Sequence, residues 1–318
     1  MSSRSLLRLG TRGSQLARVQ STLVAQAITQ ATGIAVELVL IRTEGDDTSV
    51  PFSAATRPGV FVSNLRDALL RQEVDLIVHS FKDLPSLGME GIALAAVPER
   101  EDPRDVLVSG NGQRLDQLVA GSVVGTSSPR RAARVRALRP DLLVKPIRGN
   151  VDSRVAKVES GEYQATVLAA AGLNRLGLQG KIAQYFDNSQ ILPAPAQGAL
   201  AVECGSQDFE LLRLLDVLNH EHTRLVTTAE RAVLRGVNAS CTTAIGAAAT
   251  WVDGQLQVTA ELSHPSLDWH ERFTVGAPVE SEAMLSQAHQ LGTFVAGKLM
   301  DTQLGAQIVA MGGTLSND

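Results

Sequence analysis

The sequence VHSFKDLP, residues 78–85, carries an apolar run to an abrupt polar end. The run begins at Leu76, so the pattern predicts a short buried strand. Lys82 and Asp83 follow the strand, and Pro85 stops the segment. Because ligands bind at the carboxyl ends of strands in open α/β sheets, Asp83 is the candidate working carboxylate. The simpler interpretation is that Lys82 and Asp83 form a solvated turn pair.

Composition excludes several classes of function. The chain has 318 residues, 44% of them hydrophobic, so it can build sizeable cores and two or three domains. Its net charge of −4 and its 3% aromatic content do not suit a polyanion held by bulk attraction or a base-stacking platform, so we expect no nucleic-acid partner. Arginine outnumbers lysine by 24 to 5. Codon usage explains much of that ratio, so only the positions of the arginines are informative.

Apolar runs and cysteines bear on the location of the protein. No stretch approaches the ~18 apolar residues of a membrane helix, and the N-terminus lacks the apolar core of a signal peptide. Cys204 and Cys241 are isolated and make no zinc signature. We therefore expect a cytoplasmic protein with reduced thiols, no membrane partner and no metal. No coiled-coil pattern or apolar stripe indicates assembly, so we expect a monomer.

The first hundred residues predict an α/β lobe. A strand at Leu6–Leu9 leads through a glycine-flanked turn to Ser14, a good N-cap for an amphipathic helix. Arg12 lies beside that helix N-terminus, where backbone N–H groups favour an anion; the alternative is a surface arginine in a loop. Residues 43–59 are polar and long for a connection, which indicates a lid. The other predicted elements are a helix at 60–72 and strands at 36–41, 76–78 and 91–97.

A second α/β series follows a charged hinge at 99–105. After a strand at 123–125, Ser128 and Pro129 make a sharp helix start, where the dipole favours an anion. The groups that converge there are Thr126, Ser128, Arg130 and Arg131. We expect the later arginines of this helix to form a solvated face: Arg134, Arg136 and Arg139.

Further turns repeat the pattern of a strand followed by arginine. Gly149 lets the backbone approach a ligand closely. Arg154 lies in the first turn of the next helix, where the dipole disfavours a cation unless an anion binds. The arginines at strand ends are Arg12, Arg130, Arg131, Arg148 and Arg175. Because guanidinium groups bind carboxylates through paired hydrogen bonds, this recurrence predicts a substrate with several carboxylates.

The remaining sequence predicts a crossover and a third domain. We expect the strand at 199–203, after the proline-rich crossover at 192–198, to return to the first sheet. Three antiparallel strands and a helix at 281–300 then predict a small α+β domain. Cys241 lies in a loop of small residues, so its accessible thiol is either reactive or tolerated by accident, whereas Cys204 is most simply a small buried residue. The predicted domains are residues 1–98 plus 197–217, 104–192, and 220–318.

Eight segments together resemble the porphobilinogen deaminase, or hydroxymethylbilane synthase, family of tetrapyrrole biosynthesis. They run in the family's order between Thr11 and Gly246: TRGSQLA, VHSFKDLP, EREDPRD, VGTSSPRR, IRGNVDSR, GEYQATVLAAAGLNRLGL, LPAPAQGALAVEC and the Cys241 loop. The resemblance implies two doubly wound lobes like those of periplasmic binding proteins, with an active site in the cleft between them. It also implies a third domain whose cysteine holds a dipyrromethane cofactor by a thioether bond.

The activity implied by the resemblance is that of a transferase. Such an enzyme condenses four porphobilinogen molecules head to tail, loses ammonia each time and releases hydroxymethylbilane. Uroporphyrinogen III synthase, which acts next, is left open as a partner. Asp83 would be the catalytic aspartate and Cys241 the covalent anchor. The other cofactor contacts would be Ser14, Lys82, Asp83, Thr126, Ser128, Arg130, Arg131, Arg148, Gly149 and Asn150. The substrate contacts would be Arg12, Ser80, Arg154, Arg175 and Gln197.

The chain departs from the family's pattern in two places. Thr56–Gly59 stand where many members have a basic run in the lid, which puts a lid lysine contact in doubt. Ala239–Ser240 and Ala244 replace a Gly-Gly pair and a proline around the cysteine, although the thiol is kept. Two other interpretations stay open at this point: a two-lobed binding module, since fold does not decide function, and an inactive homologue.

Overall fold

The computed structural model divides the chain into two compact units. Unit 1 comprises residues 1–101 and 199–224, and unit 2 comprises residues 102–198 and 225–318. The described residues are 4–41, 60–238, 243–264 and 269–310, with the backbone alone for 60, 61 and 308–310. The lid predicted at 43–59 and the anchor Cys241 lie outside the described residues.

The described part of the chain contains thirteen strands and nine helices. The strands are β1 (Leu6–Thr11), β2 (Ala35–Leu40), β3 (Leu76–Ser80), β4 (Ile92–Ala96), β5 (Asp105–Ser109), β6 (Val123–Gly125), β7 (Leu143–Lys145), β8 (Ala165–Ala169), β9 (Ile182–Tyr185), β10 (Leu200–Gly205), β11 (Ile245–Val252), β12 (Gln255–Ser263) and β13 (His270–Ala277). The helices are α1 (Gln15–Thr32), α2 (Val60–Leu70), α3 (Pro129–Leu138), α4 (Val151–Glu159), α5 (Ala170–Arg175), α6 (Phe209–Leu215), α7 (Glu221–Gly236), α8 (Met284–Met300) and α9 (Gln303–Ala310). Among these helices, none combines the length and apolar composition that a membrane span requires.

Unit 1 is built on a five-stranded sheet in the order β2-β1-β3-β10-β4. β1 is parallel to β2 and β3, whereas β10 is antiparallel to β3 and β4. The predicted return of the strand after the crossover is confirmed, because Val202 of β10 pairs with Val78 of β3. The main core of this unit is formed by buried residues that include Leu7, Leu9, Val24, Ile28, Leu76, Val202 and Leu211.

Capping residues decide where α1 begins and ends. Ser14 accepts a hydrogen bond from the Ala17 N–H at 3.4 Å, as the sequence predicted for an N-cap. Gly33 ends the helix with a φ of 75°, and its N–H donates to Thr29 O. Glycine adopts this left-handed conformation without steric cost, so the helix stops there. The cap at Ser14 places Arg12 just before the first turn of α1.

The first sheet of unit 2 repeats the topology of unit 1. Its strand order is β7-β6-β8-β5-β9. β6 is parallel to β7 and β8, and β5 is antiparallel to β8 and β9. Thus β5 occupies the position in this sheet that β10 occupies in the other. Buried residues of this sheet and of α3 form its main core, among them Leu107, Val124, Val135, Val167 and Phe186.

The second sheet of unit 2 is the antiparallel meander β11-β12-β13. Helices α7 and α8 cover it, and their side chains share one core with β11 and β12, which includes Val226, Val233, Val258, Leu262, Leu291 and Val295. The predicted α+β part is therefore confirmed, and with the two α/β lobes it confirms the predicted fold class.

Three short elements differ from the sequence prediction. The segment after β8 was expected to be a turn, but it forms the six-residue helix α5, which is too short to show a helical period. The sequence also failed to indicate β9 and α9. β9 has four residues and is defined by its pairing with β5, a contact that local sequence does not encode.

Two glycines of α8 provide a test of the packing between α7 and α8. A Cβ at Gly292 would lie about 2 Å from the carbonyl oxygen of Ala229 in α7, whereas a Cβ at Gly297 would have no heavy atom within 4 Å. We expect Gly292→Ala to lower the free energy of unfolding by roughly 1–3 kcal/mol through overpacking. Gly297→Ala should be neutral or stabilising by up to about 1 kcal/mol, because alanine favours helix. Urea unfolding of both variants measures this, and equal stability would contradict the close helix contact.

Candidate active site

In unit 1, the end of β3 presents charged groups on a short turn. Phe81, Lys82 and Asp83 form a single 3-10 turn, closed by the Leu84 N–H donating to Phe81 O at 3.3 Å. Phe81 and Leu84 are buried, and the Phe81 N–H donates to Ala199 O at 3.0 Å. Lys82 is half-buried and Asp83 is exposed. Buried residues thus hold the turn in place, while the carboxylate of Asp83 stays accessible.

Helix α1 fixes a hydroxyl group on the strand that leads into this turn. Gln20 is buried on α1 and donates from Nε2 to Ser80 Oγ at 2.9 Å. Its neighbour Ser21 donates to Thr11 Oγ1 at 2.8 Å, next to the half-buried Arg12. Sequence reasoning missed Gln20. The available signal was a polar residue on the apolar face of an amphipathic helix.

A buried ionic cluster, also missed in the sequence, braces β3 against its neighbours. Arg66 of α2 binds Glu203 of β10 through two bonds, Nε to Oε2 at 2.9 Å and Nη2 to Oε1 at 2.5 Å. His79 Nε2 lies 3.4 Å from Glu203 Oε2. Burial alone would raise the pKa of Glu203, but the nearby His79 and the hydrogen-bonded Arg66 outweigh it and lower that pKa. The cluster therefore keeps Glu203 charged on β10, the strand that pairs with β3 and so lies next to the strand leading into the turn of Asp83.

In unit 2, the start of α3 has the predicted cap. Ser128 Oγ accepts from the Arg131 N–H at 3.5 Å, and Pro129 occupies the first turn. The buried Thr126 accepts from the Ser128 N–H at 3.2 Å through its hydroxyl. Ser127 donates to Ile147 O at 2.8 Å, which joins the turn after β6 to the turn after β7.

Asp105 lies at the centre of a buried polar group, called here the arginine hub: Asp105, Arg130, Arg131 and Gln197. Asp105 has no exposed surface, and its Oδ2 accepts from Arg130 Nη1 at 2.5 Å. Its Oδ1 accepts from Arg131 Nη2 at 2.7 Å, Arg131 Nε at 3.0 Å and Gln197 Nε2 at 2.8 Å. Burial alone would raise the pKa of Asp105, but the two guanidinium groups hold it far below its usual range.

The arginines of the hub make further contacts inside the protein. Arg130 donates to Leu192 O at 2.5 Å, and Arg131 donates to Val167 O at 3.1 Å and to Gln197 Oε1 at 3.3 Å. Arg130 is 4% exposed and Arg131 is 7% exposed. Burial is also the main reason why the pKa of Arg130 is lowered. The structure thus brings three of the predicted contact residues together, but turns most of their donors inward.

The prediction of a solvated face along α3 is wrong for Arg134. This residue is 7% exposed, donates to Gln190 O at 2.9 Å and lies 3.5 Å from a Glu261 carboxylate oxygen of β12. Arg139 is half-buried and donates to Leu115 O, and Arg136 alone is exposed as expected. The β11-β12-β13 meander and the segment before the crossover cover this face of α3. The spacing of residues within α3 does not indicate contacts with these distant segments.

A second group of candidates lies at the turn between β7 and α4. Gly149 has a φ of 109°, and a Cβ there would collide with the side chain of Ser153, so glycine is required. Arg154 donates from Nε to Gly149 O at 2.8 Å. Its pKa is lowered, first by burial and then by the positive charge of Arg131. Arg131 and Arg154 therefore repel each other, and an anion bound beside them would relieve that repulsion.

The remaining candidates differ in their accessibility. Arg148 and Asn150 are exposed on the same turn as Gly149. Arg175 ends α5 and donates to Gly198 O at 2.7 Å, which ties α5 to the end of the crossover. Together with the hydroxyls at the start of α3, unit 2 thus offers guanidinium, hydroxyl and backbone N–H donors. Such a set suits carboxylate ligands.

Of the two cysteines, Cys204 is unsuited to covalent chemistry. It is buried in β10, and burial raises the pKa of its thiol to about 12, so it stays protonated at neutral pH. Within the described part of the chain, no group of three or more His, Cys, Asp or Glu side chains has the geometry of a metal site.

Comparisons with known proteins bear on the family of the chain. The family model described as porphobilinogen deaminase, dipyromethane cofactor binding domain, matches residues 7–213. The porphobilinogen deaminase of Thermobifida fusca is 52% identical over 246 residues, 77% of each chain. That of Cutibacterium acnes is 44% identical over 318 residues, 93% of this chain and 95% of its own. Among solved structures, the methionine-binding protein MetQ matches with a TM-score of 0.44 and 11% identity, over 69% of this chain and 92% of its own.

The arginine hub can be tested by removing its negative charge. We expect Asp105→Asn to lower the free energy of unfolding by about 3–5 kcal/mol at pH 7, because two guanidinium charges would stay buried without their counter-charge. Since the pKa of Asp105 is lowered in the folded state, its contribution is present above the unfolded pKa of about 3.9 and is lost as pH falls through the folded value. The difference from wild type in urea unfolding should therefore be constant between about pH 5 and 8 and shrink only in stronger acid.

The matched control for this experiment is Asp141→Asn. Asp141 also pairs with an arginine, Arg139, at 2.6 Å, but on the surface. Its replacement should change stability far less than that of Asp105. Equal losses in the two variants would contradict the structural importance of the hub.

Proposed function

Because the chain belongs to the porphobilinogen deaminase family, we propose that Asp83 is its catalytic carboxylate and that its clustered arginines bind the carboxylates of porphobilinogen. The observation that carries the enzymatic function is the family match over residues 7–213, with relatives that are 44–52% identical. This family assignment decides against the alternative of a simple binding module.

The enzyme is a transferase of tetrapyrrole biosynthesis. It joins four porphobilinogen molecules head to tail, releases ammonia at each addition and yields hydroxymethylbilane. A covalently attached dipyrromethane cofactor supplies the pyrrole carbon that receives the first substrate. We propose Cys241 as the attachment point, since the other cysteine, Cys204, is buried with a raised pKa.

Asp83 suits the chemistry of ammonia loss. The departing nitrogen needs a proton, and its departure leaves a positive charge on the substrate. One carboxylate can assist both changes. It accepts a hydrogen bond from the protonated amine of the substrate, whose proton leaves with the ammonia, and it then opposes the new positive charge. Two features of Asp83 support this role. Its carboxylate is exposed, and the buried side chains of Phe81 and Leu84 hold its turn in place.

Carboxylate recognition is the task we propose for the accessible arginines. Each pyrrole carries two carboxylates, so every addition brings two more negative charges to be held. Arg154 is the best-supported contact in unit 2, because its charge is opposed by Arg131 and an anion would relieve that repulsion. The other proposed contacts are Arg148, Arg175, Thr126, Ser128, Gly149 and Asn150 in unit 2, and Arg12, Ser14, Ser80 and Lys82 in unit 1.

The donors of unit 2 fit a dipyrromethane, whose two rings bring four carboxylates. The hub arginines would contribute few hydrogen-bond donors to this ligand. The four hydrogen bonds of Arg131 to Asp105, Val167 and Gln197 use four of the five N–H donors of a guanidinium, which leaves one on Nη1. We propose that Arg131 offers this donor, while Arg130 and Gln197 act by holding Arg131 and Asp105 in place.

The predicted domains, location and assembly state belong to the same proposal. We propose three domains, 1–98 plus 197–217, 104–192 and 220–318, in a cytoplasmic monomer. A free buried thiol at Cys204 supports a reducing compartment. The separate strand orders of the two five-stranded sheets and the meander support three domains.

The role of Asp83 is tested by Asp83→Asn. We expect this variant to fold normally, because the side chain is exposed, but to lose turnover by a factor of at least about 100, since it removes the negative charge that binds the leaving amine and opposes the substrate cation. Asp67→Asn is the control, because Asp67 is also exposed in unit 1 but lies on α2. Steady-state release of hydroxymethylbilane from porphobilinogen measures both, and near-normal turnover of Asp83→Asn would remove this residue from the mechanism.

Covalent attachment is tested by intact mass and thiol titration. We expect purified protein to exceed its sequence mass by two linked pyrrole units and to show one reactive thiol after denaturation, that of Cys204. The Cys241→Ser variant should show the same single thiol and no mass excess. Two thiols and no excess in the wild type, even after incubation with porphobilinogen, would contradict the proposed anchor.

A further inference from the structure

Glu230, in the middle of α7, is a buried carboxylate for which the proposed mechanism gives no role. It has no exposed surface. Its Oε2 accepts from the Ala196 N–H of the crossover at 2.6 Å, and its Oε1 accepts from the Ala249 N–H of β11 at 2.9 Å. Two N–H groups in different elements require two acceptor oxygens, which a carboxylate has and the isosteric glutamine lacks. Glu230 therefore joins α7, β11 and the crossover through one side chain.

Ala196, the crossover residue that binds Glu230, has a strained backbone. Ala196 has a φ of 62°, in the left-handed region that favours glycine. Such a conformation is unfavourable for an alanine and persists only where surrounding contacts hold it. Pro193, three residues earlier, is also held, since its carbonyl accepts from the Ala247 N–H at 2.9 Å. The shape of the crossover thus depends on the α+β part of unit 2.

The residue that follows Ala196 is Gln197, a member of the arginine hub. Its Nε2 donates to Pro103 O at 2.7 Å and to Asp105 Oδ1 at 2.8 Å. Its Oε1 accepts from Arg131 Nη2 at 3.3 Å. The backbone conformation of Ala196 sets the direction of the Gln197 side chain. A change in that conformation would therefore alter the contacts of Gln197 with Asp105 and Arg131. Ala196 and Gln197 thus connect Glu230 to Arg131, which lies next to the proposed carboxylate contact Arg154.

We propose that Glu230 is a positioning residue for carboxylate binding in unit 2. By holding Ala196 it orients Gln197, and through Gln197 and Asp105 it sets the position of Arg131. The inference rests on the proposed function only in taking Arg131 and Arg154 as carboxylate contacts. Glu230 also lies on the helix that precedes Cys241 in sequence and bonds to the strand that follows it. It is therefore the residue best placed to keep α7 and β11 in fixed relation to the hub.

The test compares Glu230→Gln with a control in the same part of the protein, Glu261→Gln. Glu261 is 1% exposed but binds Arg272 at 2.6 Å and lies near Arg134. Both variants should unfold more readily. Only Glu230→Gln should raise the KM for porphobilinogen, by about 10-fold with a smaller change in kcat, because a misplaced Gln197 displaces Arg131, which lies beside the proposed carboxylate contact Arg154. Equal KM values in the two variants, with wild type active, would overturn the proposal.

A second substitution separates positioning from general destabilisation. Glycine adopts a positive φ without cost, so Ala196→Gly should let the crossover keep its shape without Glu230. We expect the double variant Glu230→Gln/Ala196→Gly to recover most of the wild-type KM, and failure to recover it would contradict the chain of contacts.

A crystal structure of Glu230→Gln gives a readout that needs no activity. Gln197 displaced from Asp105 is the expected result, and an unchanged hub would overturn the proposal even if the wild type proved inactive. An inactive wild type would by itself count against the proposed function alone, so the two failures are distinguishable.

Discussion

Two arginines buried against a single aspartate form the constraint on which unit 2 depends. Asp105 is fully buried, and Arg130 and Arg131 are 4% and 7% exposed. Removing three charges from water costs several kcal/mol per ion, so the pairing is favourable only when its geometry is right. That geometry requires the start of β5, the start of α3 and the crossover to converge. One positive charge is left in excess, and it adds to the effect of burial in lowering the pKa of Arg154 beside it. The same constraint that organises the fold therefore favours a carboxylate ligand.

The shared topology of the two five-stranded sheets explains why polar residues gather at one edge of each. In both sheets one antiparallel strand is inserted, β10 in unit 1 and β5 in unit 2. An antiparallel strand begins at the edge where its parallel neighbours end. Asp105 thus pairs with Ala169 at the end of β8, and Leu200 pairs with Ser80 at the end of β3. Each edge therefore receives groups from strand ends and from a crossover, which is where α/β sheets bind ligands.

Parts of the site were open to prediction because they follow local rules. Ser14 and Ser128 cap their helices as the sequence indicated, since capping needs only residues three positions apart. Arg134 was misjudged because its partners lie in β12 and before the crossover. Gln20, Arg66 and Glu230 went unnoticed for the same reason. Each is a polar residue on a buried face, and its partners lie at least 19 residues away in the chain.

The sequence by itself determined most of the strands, the capped helices and the family, because these depend on periodicity, on contacts within one turn and on motifs kept in order. It also determined which residue types could do the chemistry, including Asp83 and the arginines after strands. Only the tertiary structure decided which arginines are accessible and which are structural. Arg130 and Arg148 both follow strands in the same lobe, yet one is buried on Asp105 and the other is exposed. The physical reason is that burial and pairing of a charge depend on distant segments, whose approach no local pattern specifies.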